Sequence, residues 1–151
     1  AKFFKLDHIM RITADCPLIN PIVCSELLDL HIWRKCDYSS NLWPKRTYPK
    51  GLDCEVFTFN CLEAAYVQVM ENYKLGARLS SHVLAEDCLI QVKYDAEHVT
   101  PWMHRTSELK TSLLSQKQNR SNQNLCIDVP EDIGRLEKIM NRKPKLKVVS
   151  K

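Results

Sequence analysis

A chain of 151 residues with 44% hydrophobic content has the size of one domain and enough apolar material for one sizeable core. Only three glycines occur, Gly51, Gly76 and Gly134, which leaves nothing from which to build a Rossmann phosphate turn or a Walker loop. The net charge of +4 is uneven: from Arg135 onward seven basic residues face one acidic one, whereas the first 134 residues hold 15 basic against 17 acidic and sit at −2. A globally basic nucleic-acid surface is thereby excluded and a basic tail remains.

In chain order, Phe4, Leu6, His8, Met10 and Ile12 alternate with Lys5, Asp7, Ile9 and Arg11, a period of two that predicts a half-buried strand. His8 falls on its apolar face and reads as a hydrogen-bonded core histidine. Asn20-Pro21 supplies an N-cap and a first-turn proline, and Val23, Leu27, Leu30 and Trp33 or Arg34 recur at helical spacing. Residues 21–35 are therefore expected to form an amphipathic helix. The stretch from Cys36 to Asp53, with its prolines and Gly51, reads as a connector whose aromatics, Tyr38, Trp43 and Tyr48, plug it onto the core.

Two runs rich in β-formers, Cys54–Phe59 and Ala64–Met70, flank Asn60-Cys61-Leu62-Glu63 and suggest a hairpin. After a polar gap from Glu71 to Ser81 come the run His82–Cys88, the alternating strand Leu89–Asp95, and a short strand His98–Trp102. Thr106-Ser107-Glu108 suits the cap of a single helical turn. The succession predicts an antiparallel meander of four or five strands, which avoids exposed edges by closing into a small barrel. Ser115–Asn124 is ten polar residues without periodicity, a flexible loop. Leu125–Val129 is expected to add a strand, and Asp128-Val129-Pro130-Glu131-Asp132 opens a helix carrying Ile133, Leu136 and Ile139 or Met140.

Cysteines at 16, 24, 36, 54, 61, 88 and 126 are odd in number and irregularly spaced, so they read as reduced thiols in nucleus or cytoplasm. The loosest zinc constellation, Cys54, Cys61, His98 and His104, lacks the tight ligand pairs usual for zinc, and neither metal nor cofactor is expected. No apolar run approaches the roughly 18 residues of a membrane helix. No spacing sets a nucleophile beside a base with a third orienting group, so catalysis is not expected.

The run Gly51-Leu52-Asp53-Cys54 into Glu55–Phe59, the aromatic Tyr66, and the turn Val92-Lys93-Tyr94-Asp95 followed by Glu97 resemble the Tudor-type barrels of the Royal superfamily. The resemblance covers about residues 51–109 and implies an α+β chain built on a small antiparallel five-stranded barrel with flanking strand and helices. The implied organisation is a strand, helix and connector over 1–50, a Tudor-like barrel over 51–114, a flexible polar loop over 115–124, and a strand and helix extension with a basic tail over 125–151. Readers of this type hold methylammonium groups against aromatic faces, at about 0.5 to 2 kcal/mol per ring. Phe57 or Phe59, Tyr66, Tyr94 and Trp102 are the expected rings, and Asp95 or Glu97 the charge. The implied function is a non-catalytic module for a protein or peptide partner, one bearing methylated lysine or arginine, in a nuclear or RNA-granule complex. Two alternatives stand beside it: an OB-like nucleic-acid-binding barrel helped by the basic C-terminal tail, and a scaffold for a folded protein. No membrane partner is expected.

Overall fold

Strand β1 (His8–Arg11) follows a 3-10 turn at Lys2–Phe4 and leads into helix α1 (Pro21–Arg34). The computed structural model describes residues 1–78, 86–98 and 100–141. Helix α1 begins where the local chemistry dictates: Ile22 N–H donates to Asn20 Oδ1 at 2.9 Å, Pro21 occupies the first turn, and Lys35 ends the helix in the left-handed region at φ 50°. Its buried stripe is Val23, Cys24, Leu27 and His31, one face at helical spacing. Trp33, whose helical spacing suits core or a helix-docking surface, is exposed, with the Arg34 guanidinium 5.9 Å from its ring centroid.

The connector holds strand β2 (Tyr38–Ser40), and strand β3 (Glu55–Thr58) follows it. Helices α2 (Phe59–Arg78), α3 (Glu86–Glu97) and α4 (Pro101–Arg105), strand β4 (Thr111–Leu113) and helix α5 (Glu131–Asn141) complete the order. The four strands form one open sheet in the order β1-β3-β2-β4. β3 runs antiparallel to β1 and β2, and β2 is parallel to β4. Strands β1, β2 and β4 therefore point the same way, and the register aligns Arg11, Glu55, Ser40 and Leu113 across their carboxyl ends.

The closed five-stranded antiparallel barrel is thus replaced by an open mixed sheet between helices. Phe59 passes from β3 straight into α2, where Cys61, Ala65 and Val69 are buried at spacings of four while Tyr66 and Val67 are exposed. Thr58 Oγ1 accepts the Cys61 N–H at 3.1 Å, a helix N-cap where a hairpin turn was expected. Asn60–Glu63 contains no glycine to make such a turn. The alternation of Leu89–Asp95 belongs to α3, in which Val92 and Asp95 are half-buried three residues apart. Pro101-Trp102 opens α4. Of the run His82–Cys88, residues 86–88 open α3, while residues 82–85, Val99 and the basic tail from Arg142 onward lie outside the described residues. Leu125–Val129 forms no strand; only a single bridge joins Lys50 to Asn124.

Alternation sorts the sheet's side chains onto two faces. Tyr38 and Phe57 pack with Cys61 and Ala65 of α2 and Met103 of α4. Val56 and Cys54 pack on the other face with Cys24 and Leu27 of α1. Polar groups thread this second face: His31 Nδ1 lies 2.9 Å from Ser39 Oγ, Ser39 Oγ 2.8 Å from Ser112 Oγ, and His31 Nε2 3.1 Å from His8 Nδ1. Among the described residues no helix is long and apolar enough to cross a membrane.

Candidate functional site

In open α/β sheets ligands bind at the carboxyl ends of the parallel strands. Here that edge is the row Arg11, Glu55, Ser40 and Leu113. Glu55, at the start of β3, is 2% exposed, a burial that a carboxylate tolerates only when paired and hydrogen-bonded. Arg11 Nη1 donates to Oε2 at 2.6 Å, Tyr38 Oη donates to Oε1 at 2.6 Å, and His104 Nε2 stands 3.3 Å from Oε1. Burial raises the Glu55 pKa, but hydrogen bonds from His104, Tyr38, Thr100 and Arg11 outweigh it and hold the carboxyl at about 2. Glu55 is a fixed anion at neutral pH, not a proton acceptor.

The Tyr38 phenol is held protonated, by burial first and by the neighbouring Glu55 charge second. Since it donates to Glu55, it accepts from His104 Nε2 at 2.7 Å. That network places a ring proton on Nε2. Trp43 stacks on the His104 ring at 5.3 Å and 6°. Its loop is held by fully buried Asn41, which donates to Leu52 O at 2.6 Å and accepts from Cys54 N–H at 3.0 Å. Arg11, Trp43, Glu55, Tyr94, His104 and Arg105 all border one open cleft of about 380 Å³.

A second group joins the loop after β1 to the segment before α5. The ligand atoms of Asp15, Cys16 and Cys126 lie within 4.8 Å of one another. Hydrogen bonding to Thr13 outweighs burial and lowers the Asp15 carboxyl. Cys54 and Cys61 of the zinc constellation weighed from sequence sit on opposite faces of the sheet.

The expected ligand residues separate. Tyr66, Asp95 and Glu97 line a groove between α2 and α3, and Tyr94 borders the cleft beside His104. Phe59 is half-buried at the start of α2, its ring beside a shallow hollow with His8 and Thr58, while Trp102 packs on the core cluster of Tyr38 and Met103. Phe57 is core at 2% exposure. Of the Glu55 cluster, Tyr38 was read from sequence only as a loop aromatic and His104 only as a member of the zinc constellation, while Glu55 was not singled out. One signal marked them: Glu55 falls in an otherwise apolar strand run, and a charge there demands partners.

No protein-family model matches the chain. It is 29% identical over 109 residues to an uncharacterized protein of Methanocaldococcus jannaschii, a match covering 72% of this chain and 35% of that protein. A solved cytidylyltransferase from Leptospira borgpetersenii superposes with a TM-score of 0.73 at 24% identity, over 95% of this chain and 52% of that one. This chain shares its fold. The chain spans about half the length of that enzyme and about a third of the archaeal relative. The Tudor resemblance is overturned, because the sheet is open and mixed and the fold is one that an enzyme uses. The methylated-peptide reader and the OB-like barrel, both of which require a closed β-barrel, fall with it. The expectation of a non-catalytic module is corrected on the same ground.

Proposed function

We propose that this chain forms part of a nucleotidyltransferase cleft, with cytidylyl transfer the favoured reaction. The observation that carries the reading is the coincidence of a buried, fully partnered Glu55 cluster with the carboxyl edge of the parallel strands, in a fold shared with a cytidylyltransferase. Nucleotidyl transfer joins an acceptor oxygen to the α-phosphorus of a nucleoside triphosphate and expels pyrophosphate, so it needs cations for the phosphates and a positioned acceptor. Arg11 and Arg105, paired with Glu55 and Asp95, bring guanidinium groups to the cleft, and Trp43 offers a flat ring held by His104. Glu55 holds the Arg11 guanidinium and, through Tyr38, the orientation of the His104 ring.

A divalent cation shields triphosphate charge in such reactions. Of the carboxylates near this edge, Glu55 and Asp53 are engaged by arginines.

The test is a titration of the full chain with each of the four magnesium nucleoside triphosphates, read by Trp43 fluorescence and by the His104 ring resonances. Saturable changes with the cytidine nucleotide, weakened in Arg11→Gln, support the proposal. Signals at Trp43 and His104 that stay silent with every nucleotide overturn it.

A further inference from the structure

Among the described residues two pairs of thiols are neighbours, and their surroundings differ. Cys24 and Cys54 pack together within an aliphatic cluster of Leu27, Val56, Met10 and Leu28. Cys16 and Cys126 are neighbours as well, but Asp15 joins them: Cys16 Sγ donates to Asp15 Oδ1 at 3.7 Å and lies 3.3 Å from Thr13 Oγ1. Both sulfurs are buried, at 4% and 1% exposure, whereas Asp15 is open to solvent. Among the described residues this is the one group of three metal-capable side chains whose ligand atoms converge within 4.8 Å.

We propose that Asp15, Cys16 and Cys126 form a binding site for a thiophilic divalent cation of the zinc class, with the fourth coordination position open. Two sulfurs and one carboxylate oxygen are a donor set that selects zinc or cadmium over magnesium, which prefers oxygen alone. Three protein ligands with one open position is the arrangement of an accessible zinc centre rather than a closed structural one. The spacing is held before any ion arrives. Ile127 N–H donates to Asp15 O at 2.9 Å and ties the two segments together, and Cys126 N–H donates to Asn124 Oδ1 at 2.9 Å. Arg135 Nη2 donates to Cys126 O at 2.9 Å. Gly51 lies so near this backbone that a Cβ would sit 2.6 Å from Cys126 N.

Charge favours the same assignment. Two thiolates and a carboxylate around a dication leave one net negative charge. Arg46 and Lys50 both stand within electrostatic reach of Cys126, Arg46 also of Cys16 and Lys50 also of Asp15. Metal binding expels both thiol protons, and the dication supplies the charge that makes buried thiolates tenable. The inference does not rest on nucleotidyl transfer, because the ion itself is the readout.

The experiment is a cadmium titration of the reduced full chain, followed by the thiolate-to-cadmium charge-transfer band and by zinc competition. One equivalent with a two-thiolate band is expected. Cys16→Ser and Cys126→Ser each halve the band, while Cys24→Ser leaves it intact. Asp15→Asn, at an exposed position that does not threaten folding, keeps the band and weakens affinity by roughly tenfold or more. Zinc displaces cadmium and magnesium does not. A band absent from the parent chain, a band lost equally in Cys24→Ser, or an affinity unmoved by Asp15→Asn overturns the site.

Discussion

Tyr38 Oη lies 2.7 Å from His104 Nε2, joining the second strand to the short helix α4 across 66 positions of sequence. The same oxygen donates to Glu55 at 2.6 Å, so one phenol serves both the anion and the imidazole. Tyr38→Phe removes both bonds and leaves Glu55 Oε1 short of a donor in a buried place. A loss of about 1–3 kcal/mol is expected, measured by urea unfolding. The His104 ring also loses the acceptor that sets its tautomer, which nitrogen NMR of the imidazole reads directly.

Glu55 adds a pH signature. Its folded pKa is depressed to about 2 from the ordinary 4.5, so the stability it contributes is complete above 4.5 and is lost as pH falls from there through 2. The shift corresponds to a loss of order 3 kcal/mol. Urea midpoints measured down this window should fall in the parent chain and lose that component of the slope in Glu55→Gln.

His31 acts in a separate, higher window. Burial on the inner face of α1 first, and the neighbouring His8 second, lower its pKa from 6.5 to about 4 against a weaker opposing pull from Asp37. A depressed folded pKa means that stability is complete above 6.5 and falls as pH drops from 6.5 through 4, by a few kcal/mol. His31→Asn removes the titrating group. Its unfolding midpoint should be lower at neutral pH yet nearly flat across this window.

Gly51 has φ +93°, and a Cβ there would meet Leu125 C at 2.5 Å. Gly51→Ala combines a strained backbone with a clash against backbone that has little room to move. A cost of about 2 kcal/mol or more is expected. Hydrogen exchange at the Leu125 amide, which donates to Lys50 O at 2.7 Å, should accelerate along with the fall in thermal midpoint.

Tyr66, 65% exposed on α2, provides the contrast. Tyr66→Ala should change stability by no more than about 0.5 kcal/mol, and the same unfolding assay checks it.

Signals carried by neighbouring residues were legible in the sequence. Helix α1 was expected over 21–35 and spans Pro21–Arg34, because an asparagine cap, a first-turn proline and a stripe at spacings of four act within a few residues of one another. Helix α5 was marked in the same way by Asp128–Asp132, with Asp132 Oδ2 accepting the N–H groups of Asp128 and Val129. Where local signals conflicted, as in residues 59–70, β-rich composition suggested a hairpin although Thr58 was positioned to cap a helix and no glycine offered a turn.

The tertiary structure alone decided what distance in the chain conceals. Inserting β3 in reverse between β1 and β2 brings Arg11, Glu55 and Ser40 into one row, and no periodicity encodes which strands become neighbours. Cys16 and Cys126, 110 positions apart, meet for the same reason. Composition and caps determine which segments become helices, through bonds that close within a turn. Which charge meets which partner depends on burying both faces of the sheet at once, and that is a property of the whole packed chain.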